Sequence, residues 1–61
     1  MKITEHKTGA WTTFERTAPA GYYVAKLYTP AGNLHDKIMT DTRADALEYL
    51  RAFNKIAKGM K

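Results

Sequence analysis

The chain has 61 residues, 10 Lys and Arg against 6 Asp and Glu, a formal charge of +4, a pI near 9.6 and no cysteine. That length holds one small domain spanning 1–61 and excludes a second domain or an enclosed substrate cavity. The missing cysteines exclude a disulfide framework and a thiolate zinc site, so the core alone or a partner must hold the fold.

Residues 1–9 are polar around a single large aliphatic residue, Ile3, and read as a frayed lead-in or at most a short edge strand. The first strand is expected over 10–17, where Trp11, Thr12, Thr13 and Phe14 suit a half-buried pleated surface. Ala18-Pro19-Ala20-Gly21 breaks the pattern and fits a hairpin loop. GYYVAKLY at 21–28 is the clearest strand, ending at the turn-forming run Thr29-Pro30-Ala31-Gly32-Asn33. LHDKIMT at 34–40 alternates less regularly and is the third strand.

From Asp41 the period changes. At 100° per residue, Ala46, Tyr49, Leu50, Phe53, Ile56, Ala57 and Met60 fall in one arc, with Leu47 outside it and Arg51, Lys55 and Lys58 nearly opposite. A helix over 42–58 follows, capped by Asp41 or Thr42 and ended near Gly59. The expected fold is α+β: a three-stranded antiparallel meander over 10–40 with one C-terminal helix across one face (βββα).

One helix covers one face of a sheet, so the composition of the other face carries the functional information. Alternation sends Tyr23, Ala25 and Leu27 toward the helix, joined by Phe14, Leu34 and Ile38 as the core. The opposite face then presents Trp11, Thr13, Glu15, Tyr22, Val24, Lys26, Tyr28, His35, Lys37 and Met39. Within it, Trp11, Tyr22, Lys26, Tyr28 and Lys37 are the candidate binding residues: aromatic rings beside lysines can stack on bases and pair with phosphates, or anchor a protein partner. Cross-strand aromatic pairs also stabilise a sheet whatever its function.

The excess positive charge lies after residue 50. Residues 1–50 balance, whereas Arg51, Lys55, Lys58 and Lys61 stand without an acid. The first three form a secondary electrostatic site on one helix face, or simply complement the C-terminal end of the helix dipole.

Catalytic chemistry is hard to find. There is no Ser, Cys or Gln; the eight threonines lack a nucleophile-elbow setting, and His6 and His35 lie in different segments. The four glycines sit at element boundaries rather than in a phosphate-binding loop. No enzyme, metal or cofactor is expected. No apolar run approaches the roughly 18 residues of a membrane span, and the N-terminal residues lack a signal-peptide core, so a soluble cytoplasmic protein without a membrane partner is expected.

The junction Ile38-Met39-Thr40-Asp41-Thr42-Arg43-Ala44-Asp45-Ala46-Leu47-Glu48-Tyr49 combines an apolar strand end, a Thr/Asp cap and an acid-plus-Ala helix start. It is similar to the strand-to-helix passage of plant ethylene-response-factor DNA-binding domains and of the arm-site-binding domains of phage tyrosine integrases. The resemblance implies a sheet backed by a helix, with the sheet on the DNA major groove and Trp11, Tyr22, Lys26, Tyr28 and Lys37 facing DNA. Those families carry several Arg on the sheet, whereas this chain has Arg16, which alternation places on the helix side.

The expected function is a small non-catalytic nucleic-acid-binding module, most readily for DNA, acting through the open face. The alternative is a protein-binding accessory factor or inhibitor of phage or plasmid type using the same aromatic face. A homodimer burying that face is compatible with either.

Overall fold

The computed structural model describes residues 1–17 and 21–60. Four strands precede one helix: β1 (Lys2–Glu5), β2 (Trp11–Arg16), β3 (Tyr23–Tyr28), β4 (Leu34–Thr40) and α1 (Arg43–Lys58). The strands form one antiparallel sheet in the order β1-β2-β3-β4. The α+β class and the C-terminal helix agree with the sequence reading, but the sheet has four strands rather than three. Residues 2–5 pair in register with 11–14, from Lys2 opposite Phe14 to Glu5 opposite Trp11. β1 is an edge strand that contributes backbone pairing more than apolar burial, so it left almost no hydrophobic signature.

A tight turn sets that pairing. The His6 N–H donates to the Ala10 carbonyl at 3.0 Å and the Gly9 N–H to the His6 carbonyl at 2.9 Å, leaving a three-residue loop whose last position, Gly9, has φ of 93°. This is the hairpin geometry that uses a left-handed glycine. The β3–β4 turn repeats it: Thr29 N–H to Asn33 carbonyl and Gly32 N–H to Thr29 carbonyl are both 2.9 Å, with Gly32 at φ 92°. The two turns lie side by side, and a Cβ added to Gly9 would come within 3.3 Å of Pro30 Cβ. Between β2 and β3, Thr17 N–H donates to the Tyr22 carbonyl at 2.7 Å. The expected hairpin loop there falls largely on Ala18, Pro19 and Ala20, which lie outside the described residues.

Thr42 is the N-cap of α1, its Oγ1 accepting from the Asp45 N–H at 3.3 Å. Asp45 in the first turn and Lys55 and Lys58 in the last match the dipole. Ala46, Leu50, Phe53 and Ala57 are buried, and the latter three pack with Ala10, Ala25 and Leu27 to form the core, flanked by Phe14, Ile38, Leu47 and Met60. No helix among the described residues is long and apolar enough to cross a membrane.

The expected core is corrected at four residues. Leu34, expected under the helix, is 53% exposed because the β3–β4 register slips: Leu27 faces Asp36, but Tyr28 faces Leu34, leaving His35 as an extra residue. That bulge moves Leu34 to the face away from the helix. Leu47, expected outside the apolar arc, packs on the core, while Tyr49 and Ile56 are exposed. The helix is rolled toward the β1–β2 turn, where Asn54 and the Ala57 carbonyl accept hydrogen bonds from Thr12 and Thr8.

Candidate nucleic-acid interface

Register sorts the face away from the helix into cross-strand rows. One row runs Glu5, Trp11, Tyr28, Leu34; the next Ile3, Thr13, Lys26, Lys37; a third holds Glu15, Val24 and Met39. Four of the five candidate residues therefore lie in two adjacent rows. Trp11 and Tyr28 stack on one another, with ring centroids 5.0 Å apart and planes 11° from parallel. The far edge of the Trp11 ring lies over Gly32, where an added Cβ would stand 3.8 Å from Cη2. The pair forms a fixed ledge at the β3–β4 turn.

Lys26 and Lys37 face each other directly across β3 and β4. The Lys37 N–H donates to the Asp36 carboxylate at 2.8 Å rather than to β3, so this is a non-hydrogen-bonded pair, the class in which opposing side chains stand closest. Like charges so placed weaken a sheet. The two acids on this face, Glu5 and Glu15, belong to β1 and β2, so the face is polarised: carboxylates on one half and lysines on the other.

The middle of the face is closer-packed than its sequence implies. Val24 is 4% and Thr13 7% exposed although both lie on the face away from the helix.

Tyr22 is not brought to this group. It precedes β3 by one residue, about 20 Å along the strand from Tyr28, and lines a groove with Met39, Asp41 and Tyr49. Arg51, Lys55 and Lys58 are exposed on the helix, on the other side of the molecule from the lysine pair. Arg16 lies over the Tyr23 ring at 5.8 Å from its centroid and is not part of the open face. Among the described residues no group of three or more His, Cys, Asp or Glu could hold a metal ion.

Sequence reasoning missed Leu34, which joins the Trp11–Tyr28 row through the bulge, and the groove carboxylates Asp41, Asp45 and Glu48. The latter two share one flank of α1 with Tyr49, a grouping visible on a helical wheel once attention leaves the buried arc. Comparison with protein-family models, with curated proteins and with solved structures finds no match for this chain, so its function has to be argued from the geometry of this face.

Proposed function

We propose that the protein is a small, non-catalytic nucleic-acid-binding module that engages duplex DNA through the β3–β4 half of its open face. The observation that supports this most is the opposed Lys26–Lys37 pair. Like charges on directly opposed positions weaken the sheet in the free protein and become favourable when phosphates lie between and beside them. The B-DNA major groove, about 12 Å wide, admits a two-stranded ribbon but not four strands whose outer members stand about 14 Å apart. A ribbon of β3 and β4 would enter with Lys26, Lys37 and the Tyr28 edge, leaving Glu5 and Glu15 on the strands that stay outside. The resemblance of residues 38–49 to sheet-based DNA-binding domains points to the same face, and a cytoplasmic site of action belongs to the proposal.

A protein partner, or a second copy on the same face, is the competing occupant. It is favoured by Ile3, Leu34 and Met39, three aliphatic side chains more than half exposed there, which no phosphate recognises.

Fluorescence anisotropy with a labelled 24-base-pair duplex across a salt series separates the two. Binding should weaken with salt, and Lys26→Ala with Lys37→Ala should flatten the log–log slope by about two units, at roughly 0.9 per phosphate contact, without changing the melting temperature downward. Absence of duplex binding at 50 mM salt, or a slope untouched by the double variant, sinks the proposal.

A further inference from the structure

A second surface lies on the opposite flank of β4. An open groove of ≈ 790 Å³ runs between the end of β4 and the first half of α1, lined by Tyr22, Met39, Asp41, Asp45, Glu48 and Tyr49 among others. Its three carboxylates are half of the chain's six acids, and among the described residues no Lys or Arg lines it. Tyr22, Met39 and Tyr49 are 43%, 55% and 49% exposed, so the walls are apolar as well as acidic.

The groove adjoins a free sheet edge. Among the described residues β4 has no neighbour on its outer side. Since the Lys37 N–H points outward, the backbone N–H and C=O of Met39, two residues on, share that direction. Asp36 occupies the Lys37 donor with its own carboxylate at 2.8 Å, a device that blunts one end of an edge strand. The Met39 end, beside the groove, is left open to pairing.

We infer that this edge and groove form a docking site for an extended peptide segment of a partner protein bearing Lys or Arg at alternate positions. A strand added at Met39 places every second side chain between β4 and α1, where Asp41, Asp45 and Glu48 face it and Tyr49 and Tyr22 cover the aliphatic stems. The carboxylates repel phosphate, so nucleic acid is excluded from this flank. Two copies paired about Met39 would set the carboxylates of both grooves against one another, which disfavours a symmetric dimer here.

The test is a titration of ¹⁵N-labelled protein with the peptide acetyl-Lys-Val-Lys-Val-Lys-amide. Shifts are expected at Met39, Thr40 and Tyr49 and not at Thr13 or Lys26. The Lys-Pro-Lys-Pro-Lys analogue, which keeps the charge and loses strand pairing, and the Glu-Val-Glu-Val-Glu analogue should each bind at least about tenfold more weakly. Asp41→Asn with Glu48→Gln should weaken the first peptide about tenfold with an unchanged thermal melt, and Tyr49→Ala should weaken it in the parent background. Equal binding of the proline or glutamate peptide, shifts confined to the lysine face, groove shifts that grow with protein concentration alone, or no shifts at all would each overturn the assignment.

Discussion

Asn54 Oδ1 receives two donors, the Thr12 hydroxyl of β2 at 2.6 Å and His6 Nε2 from the β1–β2 turn at 3.0 Å. As Oδ1 can only accept, His6 presents Nε2 as an N–H. Thr12 is fully buried and no buried side-chain polar atom among the described residues lacks a partner, so the network is closed. Asn54→Leu should therefore cost about 1–3 kcal/mol in a denaturant melt, because the Thr12 hydroxyl is left dry and unpaired. Adding Thr12→Val removes the orphaned group and should return part of the loss. If the double variant is less stable than Asn54→Leu alone, packing rather than the hydrogen bond holds Asn54 in place. This contact was illegible beforehand, since it joins residues 42 positions apart and depends on how far the helix rolls about its own axis.

At the scale of elements, the ladder parity makes β1 testable. The His6 N–H donates to Ala10, so the paired positions that exchange backbone bonds continue at Thr4 opposite Thr12 and Lys2 opposite Phe14, while Ile3 points its N–H outward. Thr4→Pro should lower the melting temperature and deprotect the Thr12 amide in hydrogen exchange; Ile3→Pro should do much less, because proline is tolerated where the N–H faces solvent. Equal effects would mean that β1 is held by Ile3 packing instead. The sequence nonetheless carried a sign of this strand in His6-Lys7-Thr8-Gly9-Ala10, a Gly-ended three-residue loop of the kind that joins β4 to β3, although the flanking residues have no alternating apolar pattern to confirm it. The strong elements were legible for the opposite reason: GYYVAKLY is a β-branched and aromatic run bounded by turns, with Ala25 and Leu27 buried under the helix, and Ala46, Leu50, Phe53 and Ala57 bury one face of period 3.6. Leu34 was misplaced because a bulge at His35 leaves no mark on composition, yet a slip of one residue exchanges the faces.

Across the whole molecule the charges are sorted by side, and this separates contact from attraction. The lysine pair occupies the sheet face, the helix cations Arg51, Lys55 and Lys58 the outer surface behind it, and Asp41, Asp45 and Glu48 the groove between them. If DNA sits on the sheet, the helix cations never reach a phosphate; they act through the field of the protein, which sets how often a productive encounter occurs. Replacing all three by Gln takes the formal net charge from +4 to +1. The expected result in stopped-flow mixing is an association rate several-fold lower at low salt, the difference closing as ionic strength shortens the Debye length to about 8 Å, with the dissociation rate unchanged. Lys26→Ala with Lys37→Ala should show the reverse emphasis, a faster dissociation, because those ammonium groups release counterions at the contact itself. Faster dissociation in the helix variant, combined with a normal rate in the sheet variant, would place the duplex on α1 and leave the opposed lysines without a role in binding.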